Sequence, residues 1–344
     1  MQRAVEHPAN YMEGTVLRDD LTRIIETQAR PLRDAVRGWA ADGGIEQVYL
    51  VGCGGSLATF RPVQLLLEQH GRTPTTTLTG WEFVNRAPAR LGPTAVVILA
   101  SHSGTTEEIL VGLALAKARG ARTIGFSLAG SELATGVDVA ATYVSIAANL
   151  SKLLLGYLVA VELLEADGEA GIAHELREAL TGVPDLVHRT KEATRQFGWE
   201  LAKRYRGERL FYVLGTGPLE GLAYQFAICN LLEMHWVHAS ALNAAEFPHG
   251  PLEIVDEGVP MIVLLGTDAS RFVAERARDF AVRNGADVIS IDMAELPGFH
   301  PLLAPFGAHL PLQWFNWYLG VEKDRPISTR RYMGVQPYAA NPSA

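Results

Sequence analysis

Apolar residues along this chain come in two textures that alternate. Short β-branched runs, "VYLVG" at 48–52, "AVVILA" at 95–100 and "ARTIGFS" at 121–127, have the length and continuity of strands buried on both faces. Between them lie longer stretches with helical spacing and a glycine stop, "CGGSLATFRPVQLLLEQHG" at 53–71 and "TEEILVGLALAKARG" at 106–120. Strand, tight turn, helix and strand in this order predict a parallel sheet with helices on its faces. The same texture returns downstream: "LFYVLG" at 210–215, "TGPLEGLAYQFAICNLLEM", "MIVLLG" at 261–266, "TDASRFVAERARDFAVRNG" and "ADVISID". The interval from Ser101 to Gly120 equals that from Gly266 to Gly285, so the two halves share one spacing.

Two similar α/β lobes follow from that repetition. Residues 1–45 read as helices packed on the first lobe, which ends in the apolar helix "LSKLLLGYLVAVELLE" at 150–165. The charged stretch 168–198 reads as a helical connector. The expected division is 1–45, 46–190, 191–325 and an irregular tail at 326–344, where periodicity is lost and proline increases.

Both "GCGGS" at 52–56 and "SHSGTT" at 101–106 stand where a strand ends and a helix begins. Ligands of an open parallel sheet bind beyond the carboxyl ends of its strands. A helix start carries unpaired N–H groups and the positive end of the macrodipole, and small hydroxyl side chains add donors without crowding. A phosphate monoester suits that setting. The plainer alternative is that Ser103 or Thr105 caps its helix and the glycines only make turns; two such loops on one sheet favour the phosphate. "GCGGS" is no dinucleotide fingerprint, because Leu57 stands where its third glycine would be, and no GxxxxGK[ST] occurs.

Composition narrows the remaining choices. With 344 residues, 48% hydrophobic and 20% charged, the chain is globular rather than disordered. A formal charge of -8 gives no electrostatic footprint for nucleic acid. No stretch approaches the roughly 18 apolar residues of a spanning helix, so the protein is expected to be soluble, unprocessed and free of membrane. Cys53 and Cys229 are the only cysteines and lack metal-ligand spacing, which fits a reducing cytoplasm without disulfide or structural zinc.

The second lobe offers acid–base chemistry in "NLLEMHWVHASALNAAEFPHGPLEIVDEG" at 230–258. Glu233 sits among Leu231, Leu232, Met234 and Trp236 in a helix whose apolarity predicts partial burial. Burial raises a carboxyl pKa toward the range in which it can shuttle protons near neutral pH; a structural carboxylate paired to a base is the equal alternative. His249 lies in "FPHGP", whose proline and glycine fix a loop that can present an imidazole rigidly. His235, His7 and His300 are expected to be surface or packing residues.

Taken together, "GCGGS" and the later "SHSGTTEE" resemble the signature of sugar isomerase (SIS) domains, and the repeated lobe is similar to double-SIS proteins over essentially the whole chain. The resemblance is greatest to the fructosamine 6-phosphate (fructoselysine 6-phosphate type) deglycases, with the isomerase half of glucosamine-6-phosphate synthase as a relative. It implies an α/β fold of two tandem SIS domains, each a mostly parallel sheet flanked by helices in a flavodoxin-like three-layer sandwich. By the same resemblance Ser101, Ser103 and Thr106 hold the phosphate, helped by the backbone at His102, while Gly54, Gly55 and Ser56 line the sugar. The loop "LGTDASR" of the second lobe has lost that role. Glu233 and His249 keep the family's interval of 16 residues, with His249 in its "E-x-x-H-G-P" loop. In the family the His opens the sugar ring and the Glu moves a proton between C1 and C2. The His reaches a neighbouring subunit's site, which implies an obligate homodimer; Glu246 and His238 fall on recurrent supporting positions.

The reaction so implied is cleavage of a fructosamine 6-phosphate to glucose 6-phosphate and free amine, by ring opening, a C1/C2 proton shift and imine hydrolysis. It needs one carboxylate and one histidine, and no metal, nucleotide or other cofactor. The chain begins at the isomerase-like part without a glutaminase domain, and its last lysine is Lys323 where the synthases carry a later one, so the deglycases fit better than the synthases. The alternatives are an aminosugar-phosphate isomerase or deaminase acting on glucosamine 6-phosphate, and a phosphosugar sensor without turnover. A sensor carrying a DNA-binding module would need a basic N-terminal segment, and the 45 residues before the first strand are not basic enough.

Overall fold

The structure, a computed structural model, describes residues 11–144 and 147–336. An amphipathic helix α1 (Val16–Ala41) precedes the first lobe, in which β1 (Gln47–Gly52), α2 (Gly55–His70), β2 (Thr75–Leu78) and α3 (Gly80–Arg86) follow in order. Next come β3 (Ala95–Ala100), α4 (Glu107–Ala118), β4 (Arg122–Leu128), α5 (Glu132–Gly136), β5 (Val139–Tyr143) and α6 (Ala148–Ala166). All neighbouring strand pairs are parallel, in the order β2-β1-β3-β4-β5. β1 and β3 are buried at every position, as their unbroken apolar runs require.

α7 (Ala170–Tyr205) joins the lobes, so the expected boundary at 190/191 lies inside a helix. The second lobe holds β6 (Leu210–Gly215), α8 (Glu220–Gln225), a π-helical turn at Phe226–Leu232, α9 (Glu233–His235) and β7 (His238–Asn243). It ends with β8 (Pro260–Leu265), α10 (Arg271–Arg283), β9 (Asp287–Asp292) and α11 (Ala304–Glu322). Its strands are also parallel, in the order β7-β6-β8-β9. Each sheet has an apolar cluster on either face, giving the three-layer sandwich twice. α7 packs along α11, where the Trp314 indole donates to the Lys191 carbonyl at 2.7 Å.

In both sheets the chain first turns to one side and then returns to the other. The point of reversal lies between β1 and β3 in the first lobe and between β6 and β8 in the second. A crevice opens at the carboxyl ends of such a strand pair. Both hydroxyl- and glycine-rich loops singled out in the sequence leave the strands that flank it. Among the described residues no helix is long and apolar enough to cross a membrane.

Candidate functional site

The loop after β3 is held in shape by the sheet beneath it. Ser101 N–H donates to the Phe126 carbonyl, the His102 carbonyl accepts from Leu128 N–H, and the Gly104 carbonyl accepts from Leu133 N–H. Gly104 has φ +69°, and a Cβ there would lie 2.1 Å from Ser131 Oγ, so both backbone sign and space demand glycine. The Ser101 and Thr106 hydroxyls bond each other at 2.7 Å, and Ser101 Oγ accepts from Gly104 N–H at 3.1 Å. Ser103 Oγ accepts from the hydroxyl of Thr105 at 2.9 Å. Thr106 is the N-cap of α4, yet no side chain caps that helix. The capping alternative is therefore not what the hydroxyls do; they stand over an uncapped helix end.

The His102 imidazole stacks on Tyr143, with Nδ1 3.2 Å from the phenol oxygen, and burial lowers its pKa below the ordinary histidine value. It is therefore neutral near pH 7. The glycine loop after β1 turns at Gly54, with φ +53°, and starts α2 at Gly55, beside the Asn149 side chain. Ser56 is buried, and its hydroxyl accepts from Lys152 Nζ at 2.7 Å. Lys152 is itself only 3% exposed, and burial pulls its pKa down to about 8.

These loops open into one cavity of about 700 Å³. Gly55, Ser56, Ser101, His102, Ser103 and Thr106 line one side of it, and Lys152, Glu233 and Arg330 complete it. Gly54 turns the chain behind them. Glu233 arrives by a particular route: the helix after β6 widens into the π-helical turn before resuming at Glu233. Such turns shift the register of the following side chains.

Glu233 is less buried than its apolar neighbours predict, with 28% of its side chain exposed, and it is paired to Arg330 at 2.6 Å. The expectation of a carboxyl isolated by burial is thus corrected to one held by a guanidinium, because the chain after α11 folds back over the cavity. Ile327, Ser328 and Arg330 line it, although that stretch has no hydrophobic periodicity. Trp236, in the left-handed conformation that ends α9, anchors the return: Arg325 and Arg331 stack on its indole at 3.8 and 4.0 Å. Lys152 and Arg330 are the functional candidates that sequence reasoning missed. A lone lysine inside the apolar run of α6 was a signal for the first; nothing local marked the second.

His249 is exposed and does not line this cavity. It borders a separate cleft with Phe247, Phe280 and Arg276. Within one chain the structure therefore gathers Glu233 with the hydroxyl loop and leaves His249 outside. Glu246 and His238 are exposed, the latter at the start of β7. His235 is a packing residue: it is buried, bonds Asn316 at 2.9 Å, and burial pushes its pKa down to about 4. His300 caps a short turn by accepting from Leu302 N–H and faces Glu175. His7 lies outside the described residues. Cys53 and Cys229 are free thiols, pushed up by burial to about 11 and about 12. Among the described residues no group of three or more His, Cys, Asp or Glu side chains could hold a metal ion.

Comparison with known proteins places this geometry in a context. Residues 45–161 match the SIS domain. The chain is similar to the fructoselysine 6-phosphate deglycase of Escherichia coli (strain K12), with 36% identity over 310 residues that span 88% of this chain and 90% of the relative. It is similar to the fructosamine deglycase of Bacillus subtilis (strain 168), with 32% identity over 311 residues, 86% of this chain and 93% of the other. Among solved structures, a candidate phosphosugar isomerase from Bacillus subtilis superposes with a TM-score of 0.83 at 30% identity, covering 90% of this chain and 99% of that one.

Proposed function

The chain belongs to the fructoselysine 6-phosphate deglycase family of SIS-domain proteins, and from that premise we propose that it cleaves a fructosamine 6-phosphate to glucose 6-phosphate and a free amine. One observation carries the reading: the pinned hydroxyl loop and the carboxylate of Glu233 face the same cavity. The loop of Ser101, Ser103 and Thr106 receives the phosphate over the start of α4, where backbone N–H groups and the helix dipole favour an anion. Gly55 and Ser56, set in place by the turn at Gly54, line the sugar, and the far end of the open chain meets Glu233.

At that end the Glu233 carboxylate removes a proton from C1 of the open-chain ketoamine, giving an enaminol, and returns it to C2. The product is an aldimine between C1 and the amine nitrogen. Water adds to its carbon, the C1–N bond breaks, and the aldehyde of glucose 6-phosphate and the amine leave. A positioned carboxylate of this kind contributes typically about 10²–10⁴-fold to rate. Arg330, 2.6 Å away, holds the carboxylate in place between cycles. The residues supply this proton chemistry without a cofactor.

Ring opening is assigned to His249 of a second copy of the chain in a homodimer. The exposure of His249 on the "FPHGP" loop, outside its own chain's cavity, supports that arrangement. We assign the first lobe, residues 46–190, to gripping the phosphosugar and the second, 191–325, to the proton transfer. The two unpaired thiols support a reducing compartment, the cytoplasm. The test is to incubate the protein with a panel of fructosamine 6-phosphates, with glucosamine 6-phosphate alongside, and to measure hexose 6-phosphate and amine released. Release from a ketoamine is expected; release from none of them overturns the deglycase reading.

A further inference from the structure

Among the described residues the buried carboxylate and ammonium groups are paired with opposite charges, except Lys152 inside the cavity. Glu162, 4% exposed, meets Arg33 and Arg177, each at 3.2 Å. The buried ammonium of Lys191 is bonded to the Gly14 carbonyl and lies 2.9 Å from Glu192. Lys152 is as deeply buried, but its one hydrogen-bond partner is the neutral hydroxyl of Ser56, and among the described residues it has no carboxylate partner. A lone ammonium out of water is costly unless a counter-charge arrives.

The hydroxyl loop has the opposite deficit. A phosphate monoester carries about -1.5 to -2 charges near pH 7. Ser101, Ser103 and Thr106 are neutral, His102 is held neutral by burial, and Glu107 and Glu108 in the first turn of α4 are acidic. Of Lys152 and Arg330, the two lysine and arginine side chains that line the cavity, Arg330 is engaged by Glu233. The remaining titratable groups around Lys152 do not neutralise it: the Cys229 thiol is pushed up to about 12 and the His309 imidazole down to about 3, both by burial. Lys152 lies within electrostatic reach of His102 in the hydroxyl loop and of Cys229, and all three line the cavity.

We propose that Lys152 is the counter-ion of the substrate's phosphate, supplying from α6 the positive charge that the hydroxyl loop lacks. The inference rests on the phosphosugar reading and deepens it. Substrate entry then cancels two unfavourable charges at once, and Ser56, tied to the lysine, is positioned by the same event. Because burial already holds the free lysine near its titration range, anion binding draws a proton onto it in mildly alkaline solution. Affinity is close to full near pH 7, where the phosphate is mostly dianionic and the lysine charged, and declines as pH rises beyond 8, since the deprotonated amine attracts no anion.

The experiment is calorimetric titration of the full chain with inorganic phosphate and with glucose 6-phosphate, at several pH values and in buffers of different ionisation enthalpy. Wild type is expected to bind both and to take up a fraction of a proton near pH 8.5; Lys152→Met is expected to bind both at least about 10-fold more weakly without proton uptake. Melting temperature verifies folding of the variant, and Lys152→Arg, which keeps the charge, serves as a second variant expected to retain part of the affinity while losing the alkaline proton uptake. Unchanged phosphate affinity in folded Lys152→Met overturns the inference alone, and so does a fall in kcat with unchanged affinity, which would place the charge at the reacting carbons. Failure of wild type to bind either probe overturns the phosphosugar reading and this inference with it.

Discussion

The loops after β3 and β8 occupy equivalent places in the two lobes and have opposite chemistry. In the first lobe Ser101, Ser103 and Thr106 leave a row of hydroxyls over an uncapped helix. In the second, Gly266, Asp268 and Arg271 stand at the same positions. The Asp268 carboxylate accepts from Ser270 N–H at 3.0 Å, so the protein's own anion occupies the start of α10. Arg271 is drawn away from it, donating to both oxygens of Asp292 at 2.7 and 2.8 Å and to Glu275 at 2.8 Å. A crossover from strand to helix thus builds the same electropositive end twice, and the side chains decide whether it is left open or filled. The contrast extends to the preceding crossover in each lobe: after β1 it leads into glycines and Ser56, after β6 into the widened helix that carries Glu233.

Breaking the second lobe's contribution should have the largest effect. Glu233→Gln is expected to lower kcat by about 10²–10⁴-fold while glucose 6-phosphate still binds, because the loss falls on proton transfer and not on the phosphate grip. Turnover within a few-fold of wild type would show that Glu233 is not the base. Next in size is the sharing of the site between copies. Glu233→Gln and His249→Asn chains, each nearly inactive alone, are expected to regain about a quarter of the wild-type activity when unfolded together and refolded as a mixture, as random pairing in a two-fold dimer gives one intact site in half of the dimers. A mixture no more active than its components would place both groups in one chain or remove His249 from the reaction.

Breaking the first lobe's grip is a smaller change. Ser101→Ala removes one hydroxyl from the loop and is expected to raise KM about 10-fold with a lesser effect on kcat, the size of one hydrogen bond to a charged group. Steady-state kinetics separates the two constants, and a fall in kcat alone would contradict the assignment. The smallest effect sharpens the comparison from the other side. Asp268→Ala opens the second loop yet is expected to change kcat/KM less than about two-fold, because none of its residues lines the cavity, while loss of the acceptor at the start of α10 lowers stability by about 0.5–2 kcal/mol. A large loss of activity in this variant would mean that the two loops are less different in use than in composition.

Much of the fold was legible because buried parallel strands are unmistakable: "AVVILA" is β3 residue for residue, and the helices begin and end near the glycines that flank them. The strands that escaped notice, β2, β5 and β7, all lie at sheet edges. An edge strand is paired on one side and partly exposed, so "TTTL", "VAATY" and "HASALN" need no continuous apolar run. The same distinction governs the site. Loops whose chemistry is local, such as residues 101–106, announce themselves by composition and spacing. Arg330 meets Glu233 only after the chain has passed α11 and turned back at Trp236, and no local pattern encodes a contact made at that separation. Lys152 was visible as a charge inside an apolar helix, but that it meets no carboxylate among the described residues belongs to three dimensions.

The π-helical turn at Phe226–Leu232 makes the position of Glu233 depend on chain length as well as on side-chain identity. Such a turn holds one residue more than the α-helix it interrupts, and each residue advances a helix by about 100°. A deletion of one buried apolar residue there would let the helix close into regular hydrogen bonding while rotating Glu233 off the cavity and away from Arg330. The lobe could then keep its sheet and its packing and be silent, a lesion of phase that no comparison of residue types would reveal.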